Sequence, residues 1–565
     1  MRALMVARSP LVAVAWVGAV LALLAGLLGV VPLTDAPPAG AQGSGAAARS
    51  PGALDSSFGF PAGLVFPRFT DDSEQQSGRA VAVADDGKIV VAGSQDTLDE
   101  DFASGGGSLE DRQILVARYH RSGLLDTSFG RGGLARLDLT PTARTGSDDL
   151  TADSIDAALA VDVQSDGKVV VAGESYRLFK NADDVILTQT VAFVARFTAA
   201  GALDTTFGTV VSGSTRTGWF EVAPSSVHSG AHAAFYAVEV LADGKILAAG
   251  ILSPSALIVR LTSSGALDTT FSDDGMDAND VFSAFSGQED YFFDLDVQSD
   301  GKIVAGGRGH RDISQGIGSV VAGLEAGLVR FTADGTRDTT FGELSDPADP
   351  SSARTGSVGV GELWGGGALG TRDNDISGLE VLADGRIVVV GAAGTTRKPL
   401  TSGKPFPPTD ARVALARFNE NGTLDTSFAT NGGARFELDL VVDRKPARRE
   451  VPTSLAVDSN GSLFVSVTAH AREDTQAVGI DPYVVKFTPD GALDTNFRTA
   501  GSAWDVAGSV WATVTRGNNQ SGGASTELVL DSDGRVLVVG ETNLPSKSAE
   551  IFLARILPDG RFDTE

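Results

Sequence analysis

The stretch Ala158–Gly173, ALAVDVQSDGKVVVAG, decides the fold. Leu159, Val161 and Val163 alternate with smaller or polar neighbours, which is the two-residue period of a half-buried strand. Asp166-Gly167 ends that strand, because glycine accepts the positive φ that a tight hairpin turn needs. Val169 to Ala172 is continuous in apolar character and reads as a second strand buried on both faces. Working outward, the chain predicts a third strand over Phe193–Phe197, a turn made by GALDTTFG from Gly201, and a short fourth strand over Thr209–Ser212.

The same phrases return along the chain. The Gly-x-Leu-Asp phrase begins at Gly52, Gly123, Gly201, Gly265, Gly335, Gly422, Gly491 and Gly560. Between each pair stands one Asp-Gly-Lys-like turn, at Asp86, Asp166, Asp243, Asp300, Asp384, Asn460 and Asp533. A basic residue that closes an apolar strand follows each turn, at Arg118, Arg196, Arg260, Arg330, Arg417, Lys486 and Arg555. Three markers in fixed order define seven units, numbered below by their turns.

One four-stranded sheet cannot bury two apolar faces alone, so the units must stack, and radial stacking that returns on itself is a propeller. The expectation is therefore an all-β, closed seven-bladed β-propeller with four strands per blade. The seventh unit runs out after three strands, so Gly52–Phe69 is expected to supply its fourth. The phrases LDTTFG, DGKVVVAG and VARF resemble the bacterial delta-60 repeat family, and the hairpin half of the unit is similar to NHL and YVTN propeller blades. The resemblance runs from about residue 52 to the end and implies a secreted propeller without assigning an activity. Asn460-Gly461-Ser462, Lys486 and Arg337 depart from the pattern.

Arg2 and Arg8 precede an uncharged run from Leu11 to Val31, followed by Pro32, Pro37 and Pro38 and by Ala39-Gly40-Ala41. The run is long enough to cross a bilayer if kept. The small-x-small site predicts instead a signal peptide over residues 1–41, cleaved after Ala41, then a flexible linker over 42–51 and the propeller over 52–565. The expected product is secreted or extracytoplasmic, a monomer, with no membrane span after cleavage. A formal net charge of −27 argues against nucleic acid, whose phosphates need clustered Lys and Arg. With no cysteine, the fold has neither disulfides nor Cys-ligated metal.

The Asp and basic residues that recur in every unit read as turn and pairing residues, because a catalytic group is needed once. The His228/His232 spacing lacks the glutamate of a metalloprotease helix and reads as a loop. No catalytic constellation is visible, which favours a binding or scaffold protein with an extracellular glycan or protein as partner. Tight turns are expected on one face and variable loops on the other, where binding belongs. Most variable loops are acidic. Those of the fifth unit carry Arg397, Lys398, Lys404, Arg444, Lys445, Arg448 and Arg449, a candidate patch for an anionic polysaccharide or acidic protein. Four residues before the turn stand Asp162, Glu239, Asp296 and Glu380 in units two to five. If the first strand is innermost, these share one level along the axis and suit calcium. That arrangement supports the alternative reading, a metal-dependent hydrolase or lyase.

Overall fold

The computed structural model describes residues 58, 64–65, 76–97, 111–139, 154–180, 186–224, 232–279, 281, 289–314, 320–360, 364, 374–394, 411–442, 445–471, 480–497, 506–512, 522–543 and 550–560. The expected signal peptide and linker lie outside them.

Among the described residues the regular structure is all strand, and each unit builds an antiparallel meander. In the third unit Ala233–Val240, Ile246–Leu252, Ser255–Leu261 and Met276–Asn279 pair in sequence order. The turn works as its residues demand. In unit two Gly167 has φ 79°, and Asp166 Oδ1 accepts the Lys168 amide at 3.1 Å. Where Asn460 replaces the turn Asp, Asp458 takes over and accepts the amides of Asn460 and Ser462, both at 2.8 Å.

The strand pairing corrects the expected fold. The structure is an all-β propeller with five discrete four-stranded blades, formed by units three to seven, rather than seven. Units one and two share one eight-stranded sheet, joined where Arg112 of strand Asp111–Tyr119 bridges in parallel to Ile155 of strand Ser154–Val163. Side-chain periodicity reports which face of a strand is buried but not which edges pair, so it divided the two units into separate blades. The fourth strand of unit two is also displaced. Val210–Ser212 forms a small ribbon with Thr215–Arg216, and Trp219–Val222 pairs with Ala192 to Ala195. In the last blade, Leu64–Val65 pairs with Ala554 and Leu553 beside the three C-terminal strands.

The first strand of every unit pairs with the second and packs against the first strands of the neighbouring units, so these are the inner strands, and only that of unit two has a further bridge, at Ile155, among the described residues. The repeated basic residue links each unit to the next at the outer end of the sheet. Arg196 donates Nε to Asp204 at 2.9 Å, Nη1 to the Ser263 carbonyl of the following unit at 2.6 Å, and lies 4.5 Å from the Phe207 ring centroid. Arg118 makes the same bond to the Ala199 carbonyl, Arg417 to that of Pro489, and Arg555 of the last unit to that of Arg121 in the first. Burial works against ionisation of Asp204, but the Thr206 hydroxyl and amide and the Arg196 charge outweigh it and hold the carboxyl below its usual range. The Gly of the phrase is needed for contact as well as for φ. A Cβ on Gly265 would lie 2.4 Å from the Gly208 amide nitrogen of the preceding unit.

Candidate functional site

Every inner strand carries a one-residue bulge at the same place. The paired register skips one residue in each unit: Arg79, Leu159, Tyr236, Phe293, Ser377, Thr453 and Thr526. Each stands seven positions before its turn residue, so all share one level along the axis. All seven are partly exposed, whereas the two residues before each bulge are mostly buried. A bulge turns one side chain out of the alternation and bends the strand, which here leaves one partly exposed residue per unit at the seam with its neighbour, where Tyr236 packs on Phe293 of the next unit and Thr526 donates to the Gly78 carbonyl of unit one at 2.9 Å. Leu159, Tyr236 and Phe293 form an apolar arc on units two to four. Ser377, Thr453, Thr526 and Arg79 form a polar arc on the rest.

The apolar arc is backed by a fixed cluster. Tyr236 and Phe293 have ring centroids 5.4 Å apart, and Phe293 stacks on Tyr291 at 5.4 Å with 10° between the planes. Tyr291 is buried and donates its hydroxyl to Glu289 at 2.5 Å; Glu289 also accepts from Ser253 at 3.1 Å. The Arg308 guanidinium lies 4.7 Å from the Tyr291 centroid and 5.7 Å from that of Phe293. Arg308 is buried, and its Nε has no hydrogen-bond partner. Burial, with Glu174 and Tyr291 nearby, raises Tyr236 well above the ordinary phenol range, so it is a neutral hydroxyl. On the polar arc the Ser377 Oγ is buried without a partner.

Deeper toward the turns lie the carboxylates, and most are tied to backbone. Asp162 accepts its own strand's Val163 amide at 2.6 Å and the Val240 amide of the next unit at 2.7 Å. Asp296 does the same with Val297 and, in the next unit, Val381, both at 2.6 Å. One rung higher, Asp294 accepts the Leu379 amide at 2.8 Å and Glu527 the Val81 amide at 2.6 Å. Apart from the bridge at Ile155, the described inner strands have no sheet partner on the edge away from the second strand, so the amides there would otherwise lack acceptors. Each such bond contributes about 0.5–1.5 kcal/mol while the carboxyl is neutral and about 1.5–3 kcal/mol once it is ionised.

The same burial raises the carboxyl pKa values. Desolvation takes Glu239 to about 8, reinforced by Asp296, Asp162 and Asp294. It takes Asp294 to about 7 against its two backbone hydrogen bonds, and Glu527 to about 8. Glu380 is raised well above its usual value by burial and by Asp296, Asp294 and Glu239.

The four carboxylates expected at one axial level are thus placed on the inner strands, but two of them, Asp162 and Asp296, bind amides. Among the described residues no three His, Asp or Glu side chains stand close enough to hold a metal ion. Of the expected basic patch, Arg397, Lys398, Lys404 and Arg444 lie outside the described residues, as does the side chain of Lys445. Arg448 is exposed, whereas Arg449 is buried in the field of Asp375 beside His470. His228 is outside the described residues, and His232 bonds Glu174 at 3.1 Å. The bulge residues escaped sequence reasoning although their offset from the turn is constant, because their residue types share nothing.

The fold and its repeated unit define a β-propeller. The chain matches a family profile described as "Domain of unknown function (DUF5122) beta-propeller" over residues 164–207, 241–271, 298–341, 409–428, 471–497 and 532–565. No curated protein matches it. Among solved structures it is similar to a protein of unknown function from Dyadobacter fermentans DSM 18053, at 12% identity and TM-score 0.38 over 87% of this chain and 98% of that one. The polysaccharide lyase Uly1 is similar at 11% and 0.37, over 86% and 90%. The Trypanosoma rangeli sialidase is similar at 8% and 0.32, over 86% and 55%.

Proposed function

We propose that this chain is an exported, extracytoplasmic β-propeller that binds an extracellular glycan or protein. The observation that carries the reading is the bulge ring. The same backbone device recurs in every unit, yet it presents Arg, Leu, Tyr, Phe, Ser, Thr and Thr. A fixed frame with changing side chains is how a repeat fold carries a single site, since the framework phrases are occupied with holding units together. The basic residues, apolar run and small-x-small site near the N-terminus support export to a compartment where the protein meets extracellular polymers.

The test is saturable binding of the purified protein to a panel of soluble extracellular polysaccharides and peptides, followed by calorimetry. Binding to at least one member with fixed stoichiometry is expected. Failure to bind any member would remove the reading.

A further inference from the structure

We propose that the seam between the last unit and the first is a proton-sensitive latch, shut while Glu527 is neutral and loosened when it ionises. Elsewhere the chain runs directly from one unit into the next. Units seven and one stand at opposite ends of the repeat and are held by contacts, with Leu64–Val65 from ahead of unit one laid along Leu553 and Ala554. Val81 donates its amide to Glu527 at 2.6 Å, Thr526 its hydroxyl to the Gly78 carbonyl at 2.9 Å, and Ser77 its hydroxyl to Glu541 at 2.8 Å.

The seam gives a charge on Glu527 little support. Val81, Ile89 and Val91 of unit one and Leu537, Val539 and Ile551 of unit seven form one buried apolar cluster. Gly78 comes so close that a Cβ there would lie 2.8 Å from Ile551 and 2.9 Å from Val539. Asp162, Asp294 and Asp296 each accept two backbone amides, whereas Glu527 accepts one and has no cation bonded to it among the described residues. A carboxylate with one donor in an apolar seam is poorly compensated, so ionisation favours any state that lets water reach it. Asp294 and Asp162, of units four and two, face it with charges of its own sign. On the neighbouring strands Glu541 is engaged by Ser77, with Arg79 4.0 Å away. The strands of unit six packed against it carry Arg449, Glu450, His470, Asp481 and Lys486, all away from the level of Ser454, the counterpart of Glu527.

The position one residue beyond the bulge is acidic in units four and seven alone; Ala80, Ala160, Ala237, Gly378 and Ser454 fill it elsewhere. Asp294 ties unit four to Leu379 of unit five, but there the chain also spans the seam. At the last-to-first seam, burial pushes the Glu527 carboxyl up to about 8 against the Val81 amide, with Asp294 and Asp162 adding to the rise. Its contribution to closure is complete below the ordinary glutamate range and is lost as pH rises through about 8. With one proton released on opening, the open fraction grows roughly tenfold per pH unit inside that window and levels off above it.

The chain has no cysteine, so an introduced thiol reports a single site. Val538 and Val539 are adjacent and fully buried, Val538 in the cluster shared with unit six and Val539 in that shared with unit one. The reactivity of Val538→Cys and Val539→Cys toward a disulfide reagent, divided by that of a peptide thiol at the same pH, reads the opening of each seam. Val539→Cys is expected to be the less protected, with protection falling roughly tenfold per pH unit between pH 6 and 8. Glu527→Gln, which still accepts the Val81 amide, is expected to abolish that fall. If either thiol variant fails to fold, amide exchange of Gln76–Val83 against Arg449–Val457 in the unaltered protein gives the same comparison, with Gln76–Val83 the faster. Equal protection of the two sites at pH 8, no fall at Val539, or a fall that persists in Glu527→Gln would overturn the latch.

Discussion

Replacing Arg330 with Met removes one of the two fullest links between units among the described residues, the other being that of Arg196. Its Nε donates to Asp338 at 2.9 Å, Nη1 to Gln298 at 3.2 Å and to the Glu420 carbonyl of the next unit, and Nη2 to Thr340 at 3.2 Å. The guanidinium also covers the Phe341 ring at 4.6 Å. Arg330 is 2% exposed and Asp338 4%, so the carboxylate left behind cannot rehydrate. Breaking a buried pair from one side costs about 3–5 kcal/mol. An unfolding entropy of about 2.1 cal/mol/K per residue, taken over the span Gln76–Ile556, gives roughly 1 kcal/mol/K, so the melting temperature should fall by about 3–5 °C. The chain contains its own control. Lys486 occupies the same place in unit six, stands 3.7 Å from Asp494, and makes one bond to the Pro558 carbonyl at 3.0 Å. Asp494 is also more exposed than Asp338, so Lys486→Met should cost about 1 kcal/mol, nearer the value of an exposed pair. Scanning calorimetry of both variants decides the matter. Equal losses, or no loss from Arg330→Met, would refute the view that these bonds hold successive units together.

Stability should also depend on pH through the axial carboxyls. Glu239 and Glu527 titrate at about 8 and Asp294 at about 7 in the fold, all above their unfolded values. The native state therefore holds more protons than the unfolded chain between roughly pH 4.5 and 8, and their contribution, complete below that window, is lost as pH rises through it. Melting temperature should fall from pH 6 to 9, and Glu527→Gln, which still accepts the Val81 amide, should flatten that fall; a steeper slope in the variant would contradict the assignment. Phe58 is fully buried with the Arg555 guanidinium 4.4 Å from its centroid, so Phe58→Ala should destabilise by about 3–5 kcal/mol in denaturant titration. With Asp162 and Asp296 occupied by amides, calcium after chelation should leave the thermal transition unmoved, and a rise of several degrees would reinstate an axial ion.

The unit was legible because hairpin chemistry is local. Asp166-Gly167 sets a turn and Val169 to Ala172 a buried strand whatever surrounds them. The axial level of Asp162, Glu239, Asp296 and Glu380 was legible too, since a constant offset from a constant turn implies a constant height. What those carboxyls do was not, because an amide of the next unit's free edge is a partner no side-chain pattern announces. The join at Arg112 and Ile155 was hidden for the same reason. The bulge was hidden differently. Tyr236 and Thr453 look like ordinary strand residues, and the interrupted register appears when both strands are laid side by side.

The most direct test of the bulge ring as the binding site is hydroxyl-radical footprinting of the tyrosines with and without a saturating polymer from the binding panel. Five tyrosines occur in the chain; Tyr119, Tyr291 and Tyr483 are buried, leaving Tyr176 on a long unit-two hairpin and Tyr236 at the bulge ring. The account predicts strong protection of Tyr236 with Tyr176 unchanged. Protection of Tyr176 alone, with Tyr236 still oxidised at saturation, would place the ligand away from the bulge ring and contradict the account.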